Sequence, residues 1–537
     1  MDPQKVNGLD YFLPQTIDEV IWLVNDAVAK NEIICVRGAA HSFPLIDTLE
    51  KGSTGGRPYK YVMLSNMDNV CFLNNGLVKA EAGCHLGPDP WDPVGVSTKE
   101  NSLCYKLNDK GLALPDLGGI THQTIGGFLS TASSGGSTKF SFEDALMSVD
   151  IVTCEGGVAT LKTFTRPADG NEDDRFYGAG IATMGLFGVI VSATFKCVPK
   201  FYITGDEATT SEADCEIDLF GNGTTGNPSK PSLETFFKTT DYTRLMWWPQ
   251  ENVHKMVVWK ASQASEQEAI EWAQNAYQKM GKTPQNPNSL KPYEEVPYVF
   301  NSPTLATLGA DFLFTAIGRW PGWLHDLLGD TKECSDIQSI VDTMFYPVIL
   351  PKILDLFVTI DKPDNTNKGP QLFSDEGWTG LPMDNQMSDK LMPVWFTELW
   401  IDISKSQEVM KDLLDFYNQS TDNTGAFSCE IYPAKSNNFW LSPSYKIDVI
   451  RIDVFWFGNN TGDPVAFYQR FWTQLQKYNF RPHWAKYLPD SKGDQGVKYL
   501  QNNYPKWNNW KALRNQLDPK QVFVNDYWRD HLDIEAL

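Results

Sequence analysis

The chain has 537 residues, 42% of them hydrophobic and 21% charged, enough to bury a large core without disulfide or metal staples and far from disordered or collagen-like compositions. At about 150 residues per domain the length leaves room for roughly three domains or two large ones. A formal net charge of −21 creates a field that repels phosphate backbones and anionic membrane surfaces, which argues against nucleic acid as a partner.

The first residues, Met1 to Gly8, carry no basic segment followed by an apolar run, so a soluble protein, cytoplasmic rather than secreted, is expected. Glu19 to Lys30 repeats its apolar residues at the helical period, and Ile33 to Arg37 is a β-branched run that ends in a small-residue turn. Strands are predicted at Tyr61 to Leu64, Gly76 to Ala82, Ser148 to Thr153 and Val189 to Phe195. Gly205 to Lys230, rich in Asp, Glu, Gly, Thr and Asn, reads as a linker or exposed loop and marks a boundary. Beyond it, strand-like runs at Thr243 to Trp247, Met256 to Lys260, Val394 to Ile403, Ala426 to Tyr432 and Ile447 to Phe457 alternate with helical ones. The pattern is that of an α+β protein with covered sheets.

Residues 284–393 hold Pro-rich pieces, Trp320, Trp323 and a helical patch around Leu327. They read as a capping insertion, either a lid or substrate wall or a surface or oligomer contact. The greasiest stretch, Phe345 to Val358, is interrupted by Pro347, Pro351, Lys352 and Asp355, short of the roughly 20 apolar residues a membrane span needs. Nine cysteines lie scattered without a C-x-x-C pair, and none of the seven histidines has metal-pair spacing, so neither a disulfide scaffold nor a metal site is expected. The odd cysteine count points to a reducing compartment, and the sequons at Asn222, Asn418 and Asn459 are no more than chance provides.

Two small-residue loops and a glycine turn carry the chemistry. Val36-Arg37-Gly38-Ala39-Ala40-His41-Ser42-Phe43 follows a strand directly, and its small residues let successive N–H groups converge as an anion-binding nest. Gly111 to Gly127, with Ser130 to Gly136 after it, forms a second loop of this kind, and Ala182 to Ile190 turns on its glycines into a strand. Each alone is weak, and an isolated His41 would read as structural. In this order they resemble the vanillyl-alcohol-oxidase-type FAD-binding family, nearest its aldonolactone and alditol oxidase branch. That family carries R-G-x-x-H-S, then G-L-x-L-x-x-L-G-x-I-x-x-Q-T-x-x-G, then G-x-x-G-V-I. Asp518 to Tyr527 is similar to the lactone oxidases' D-P-x-x-x-F-x-N-D-Y tail, which returns to the flavin domain.

The resemblance implies FAD held by Arg37, Gly38, Ala39, Ala40, His41, Ser42, Gly118, Ser133, Ser134, Gly135, Gly185, Gly188 and Ile190, with a covalent bond from His41 to the flavin 8α carbon. It also implies a two-domain fold. An FAD-binding domain spans 1–204, a sheet-and-helix cap spans 205–480 with its insertion near 284–393, and 481–537 returns to the first domain. The substrate half is similar to the alditol-oxidase pattern S-E-I-R, then L-W-M-S-P-x-Y, then F-T-W-K. Glu430 then falls on the family's active-site Glu, whereas Tyr432 stands for its Arg, Asp453 for its His and Phe457 for its Lys. Alternation places Arg451, Asp453, Phe455 and Phe457 on one strand face, so Arg451 either supplies the missing cation or forms a structural pair with Asp453. Tyr432, Phe455, Trp456 and Phe457 are candidates for a substrate wall. Glu398, in a segment resembling N-E-x-E-Y, is a second carboxylate candidate, with a solvated or structural role as its alternative.

Gly118 falls where the oxidases keep Gly and the plant dehydrogenase keeps Ala, which implies oxygen as the electron acceptor. The expected activity is oxidation of a CH–OH group in a sugar, polyol or lactone, with hydrogen peroxide as a product. A bulky apolar alcohol such as a sterol, a flavin dehydrogenase with another acceptor and a flavin-binding protein without turnover are the alternatives.

Overall fold

The computed structural model describes residues 1–53, 56–279, 370–385, 394–420, 429–457 and 463–537, with isolated positions at 348, 351–352, 360–361 and 423–424. Trp320, Trp323, Leu327 and most of the segments 284–393 and 345–358 lie outside the described residues.

The first helix runs over Ile17–Lys30 because both ends are capped. The Thr16 hydroxyl accepts the Glu19 N–H, and Asn31 closes the helix in the left-handed conformation at φ 54. Val20, Leu23, Val24 and Ala27 form its buried stripe. The helix packs near a four-stranded sheet ordered β1-β2-β4-β3, made of β1 (Gln4–Val6), β2 (Leu9–Phe12), β3 (Ile33–Arg37) and β4 (Tyr59–Met63). A second sheet, ordered β5-β6-β10-β8-β9, is antiparallel throughout: β5 is Val70–Phe72, β6 Leu77–Glu81, β8 Leu146–Thr153, β9 Thr160–Thr165 and β10 Val189–Lys196. Between them in sequence, β7 (Leu112–Ala113) pairs with β11 (Val198–Pro199).

The third sheet has eight strands among the described residues, ordered β15-β12-β14-β13-β17-β18-β16-β19. These are β12 (Tyr202–Ser211), β13 (Tyr242–Trp248), β14 (Lys255–Ala264), β15 (Gln371–Glu376), β16 (Val394–Asp402), β17 (Cys429–Ala434), β18 (Val449–Phe457) and β19 (Arg481–Pro482). One face is apolar: Leu245, Trp247, Ile431, Ile452 and Leu399 pack under the helices Ser406–Gln419 and Pro464–Leu475 through Met410, Leu413, Phe471 and Trp472. The alternate residues of the same strands face the other way, and they build the site described below.

The stretch from Gly205 departs from the loop reading, because β12 continues through Ser211. Its polar residues are held by a ladder to β14, from Tyr202 opposite Ala264 to Ser211 opposite Lys255, and by β15 on the other side. Main-chain pairing on both edges outweighs the weak strand preference of Gly, Asp and Glu. Gly205 is required there: a Cβ would stand 2.0 Å from the Lys260 carbonyl oxygen.

The C-terminal residues pack on the first sheets. The Val522 carbonyl accepts the Ile34 N–H at 2.8 Å, and Val522, Phe523, Val524 and Trp528 share one core with Val20, Ile34 and Ile151. Asp518 shapes this turn by accepting the Val522 and Phe523 N–H groups at 2.8 and 3.1 Å while pairing with Arg514 at 2.9 Å. No disulfide forms among the described cysteines, and no described helix is long and apolar enough to cross a membrane.

Candidate active site

A cavity of about 510 Å³ lies between the loops of the first two sheets and the polar face of the third. On its loop side run Arg37, Gly38, Ala39, Ala40, His41 and Ser42 after β3, Gly118, Ser133 and Ser134 in the second loop, and Gly185, Gly188 and Ile190 leading into β10. Gly135 stands behind this lining, where its N–H donates to Asp116 at 3.0 Å. The curl of the first loop depends on Ala40 at φ 64 and on Gly38, whose Cβ would collide with the Thr124 hydroxyl at 2.5 Å. Arg37 has its charge matched by Glu50 at 3.3 Å. A Cβ on Gly118 would meet the Phe128 ring at 3.4 Å, an ordinary contact, so alanine fits there.

His41 packs beside His122, their ring centroids 5.8 Å apart. Burial, reinforced by His122, pulls the His41 imidazole down to about 4, so it is neutral near pH 7. His85 also lines the cavity. Its Nδ1 lies 2.5 Å from the His122 carbonyl oxygen, which only accepts, so Nδ1 carries a proton.

The sheet side is a lattice of alternate residues from four adjoining strands. Met246 of β13 lies opposite Glu430 of β17, Tyr432 opposite Arg451 of β18, and Asp453 of β18 between Glu430 and Glu398 of β16. All of them line the cavity. Arg451 is 3% exposed and makes four hydrogen bonds, Nε to Glu398 at 2.5 Å, Nη2 to the Tyr432 hydroxyl at 2.9 Å, and Nη1 to the Ser134 and Gly135 carbonyls at 3.0 and 2.9 Å, while its guanidinium lies 3.9 Å from the centre of the Tyr432 ring. It therefore ties the sheet to the second loop.

Three expectations are corrected here. Arg451 pairs with Glu398 rather than with Asp453 or Glu430. Glu398 is fully buried, which excludes a solvated role. Trp456 turns to the helix side and packs on Phe467, because it alternates with the cavity-lining Phe455; the Phe457 side chain lies outside the described residues.

Two cations come from places the motifs did not mark. Arg244 of β13, on the same strand face as Met246, reaches Glu430 at 2.8 Å and Asp384 at 2.6 Å. Lys486, in the turn after β19, binds Glu398 and lies 2.8 Å from Asp453. A lone arginine within the strand Tyr242–Trp248 was the available signal for the first. Nothing in the local sequence marked Lys486, His483 or Asp384.

Burial pushes Glu430 up to about 7 against the pull of Arg244. Burial and the neighbouring Glu398 raise Asp453 well above its usual value, against the pull of Lys486. Burial would raise Glu398 too, but Arg451 and Lys486 hold it well below its usual value. His483, on the same wall, is driven down to about 3 by burial. Its Nδ1 accepts the Ala485 N–H at 3.0 Å, so the neutral ring carries its proton on Nε2. Beside these groups lies an aromatic rim: Phe396 meets Phe455 edge-on at 5.4 Å, and Phe43 stacks on Trp395 at 4.9 Å.

A family model described as D-arabinono-1,4-lactone oxidase matches residues 370–531. The D-arabinono-1,4-lactone oxidase of Kluyveromyces lactis is 26% identical over 257 residues, 48% of this chain and 42% of that protein. The chain thus aligns with less than half the length of the yeast relatives. The L-gulonolactone oxidase of Scyliorhinus torazame is 20% identical over 524 residues, 96% of this chain and 93% of that protein. Among solved structures, a cholesterol oxidase from Brevibacterium sterolicum superposes with a TM-score of 0.64 at 17% identity, covering 98% of this chain and 94% of that one. A chitooligosaccharide oxidase reaches 0.54 at 13% identity over 96% of this chain and 90% of its own. The chain is thus similar to aldonolactone oxidases in sequence and shares the fold of the cholesterol and chitooligosaccharide oxidases.

Proposed function

We propose that the chain is an FAD-dependent oxidase that removes hydride from a CH–OH group of a sugar lactone or related alcohol, with residues 1–204 and 481–537 forming the flavin domain and 205–480 the cap. The observation that carries this reading is Glu430. It is a buried carboxyl raised to about 7, and it shares one cavity with the loop that bears His41.

The loop side suits FAD. Its main chain curls closely against Thr124 at Gly38 and is lined by small side chains, and main-chain donors hold a diphosphate without requiring cations. Bound FAD supplies a two-electron acceptor that oxygen re-oxidises with release of hydrogen peroxide. His41, half-buried and neutral, is the nucleophile for a covalent tether. Glu430 receives the substrate hydroxyl proton as the carbon gives up hydride, a task suited to a group that titrates near neutral pH. Lys486, the His483 Nε2–H and the Tyr432 hydroxyl supply polar contacts that orient a neutral, oxygen-rich substrate, while Arg451 fixes the floor on which they sit.

The rim formed by Phe396, Phe455, Trp395 and Phe43 favours a second substrate class, a bulkier apolar alcohol placed over the same carboxyl. A peroxide assay of the purified protein across lactones, polyols, aryl alcohols and sterols separates the two: peroxide from lactones supports the first reading, and peroxide confined to sterols replaces it. Acid precipitation tests the tether. A yellow pellet from the wild type and a colourless one from His41→Ala are expected; a colourless wild-type pellet removes the covalent bond and leaves bound FAD in place.

A further inference from the structure

Glu430 and Asp384 compete for one nitrogen. Arg244 Nη1 stands 2.6 Å from Asp384 Oδ2 and 2.8 Å from Glu430 Oε1. The contact with Asp384 is a well-formed hydrogen bond; Glu430 Oε1, although near the charge, is buried without a hydrogen-bond partner. Asp384 is anchored through its main chain and its neighbour. Its N–H donates to the Gly119 carbonyl at 2.8 Å, and the next residue, Asn385, clasps Thr121 through both its N–H and its hydroxyl at 2.7 and 2.8 Å. The carboxylate sits over Gly119, where a Cβ would come within 2.7 Å of Oδ2. Asp384 is thus fastened to the loop that carries Gly118, while its side chain, 34% exposed, is the outermost member of the trio.

We propose that Asp384 is a positioning residue: by taking the Arg244 Nη1 hydrogen bond it leaves the Glu430 carboxyl without a charged donor of its own, and so keeps that carboxyl exchangeable with a substrate hydroxyl. The inference rests on the reading of Glu430 as proton acceptor and adds to it the group that sets its charge state. The raised titration of Glu430 follows from burial and is deepened by Asp384, against Arg244 and Lys486, with Glu398 pushing in the same direction as Asp384. The charged groups facing this pair are Arg244 from β13, Asp384 from the segment after β15, Glu398 from β16, Asp453 from β18 and Lys486 from the turn after β19; Glu207 of β12 faces Arg244. If Glu430 held Arg244 alone, a charge-assisted hydrogen bond would fix it as a carboxylate with its lone pairs engaged.

The test is a pH titration of the full-length holoprotein by infrared difference spectroscopy, reading the protonated carboxyl C=O band that Glu430→Gln removes. Asp384→Ala should lower the midpoint by about one pH unit or more, and Asp384→Glu should restore it. Arg244→Gln should raise the midpoint, and in that background Asp384→Ala should shift it by clearly less, because only the direct repulsion between the two carboxyls remains. A midpoint unmoved by Asp384→Ala overturns the inference. An equal shift with and without Arg244 also overturns it, because Asp384 would then act by its own charge alone. Should Arg244→Gln not fold, the alanine and glutamate pair still decides. The catalytic reading fails separately, by unimpaired flavin reduction in Glu430→Gln, an outcome that leaves the titration unaffected.

Discussion

The two walls of the cavity recognise by different means. The loop wall offers main chain and small side chains in three short, sequence-continuous segments, whereas the sheet wall offers charged side chains collected from four strands and a turn. A diphosphate can be held by peptide dipoles that never titrate, so that wall tolerates the chain's charge of −21. Proton transfer needs groups whose charge can change, and those must be buried in matched sets to survive. Arg451 joins the two, since it binds Glu398 in the sheet and the Ser134 and Gly135 carbonyls in the loop.

Breaking that joint should therefore have the largest effect. Arg451→Met leaves Glu398 buried with only Lys486 and is expected to destabilise the protein by about 3–5 kcal/mol, measured by denaturant unfolding; a loss within experimental error would mean the walls are not coupled through this residue. Glu430→Gln confines the damage to chemistry. Anaerobic flavin reduction should slow by about a hundredfold or more with the unfolding midpoint nearly unchanged, and in the wild type the rate should rise with pH through about 7, as the raised carboxyl ionises.

A smaller effect lies behind the loop wall, where Asp116 and Glu143 are buried and burial raises them to about 7 and about 8. The folded state holds their protons above the pH at which the unfolded chain releases them. Their stabilisation is thus complete at acid pH and lost as pH rises through 7 to 8. The melting temperature should fall by about 3 °C or more between pH 6 and 9, and Glu143→Gln should flatten that slope. Smallest of all is Gly118→Ala, which fits sterically: flavin reduction should be unchanged and re-oxidation by oxygen slower, read by stopped flow.

The same contrast explains what was legible in the sequence. The loop wall could be read because each part is continuous in sequence, the small-residue run from Arg37 to Ser42 or the glycine-punctuated turn from Met184 to Ile190. On the sheet wall, the resemblance to the alditol-oxidase motif marked Glu430 and Tyr432, and strand alternation placed Arg451 with Asp453. It could not give their partners, because Arg244, Asp384 and Lys486 are distant in sequence and meet Glu430 and Asp453 only through sheet order and the turn after β19. The error at Trp456 has the same origin, since an aromatic run was taken as one wall when alternate residues point to opposite faces. The strand β12 was missed because its pairing is tertiary. The family match, over residues 370–531, falls largely on the half whose motifs are fainter to the eye, where the signal is spread over many positions.

The central claim is that both walls serve one flavin. Its most direct test is the visible spectrum of the purified holoprotein on anaerobic addition of a lactone such as D-arabinono-1,4-lactone, followed by a peroxide assay when oxygen is admitted. Bleaching of the flavin absorption by the lactone, its return with oxygen and the appearance of peroxide are expected. A flavin that stays oxidised with every lactone and alcohol tried would contradict the account.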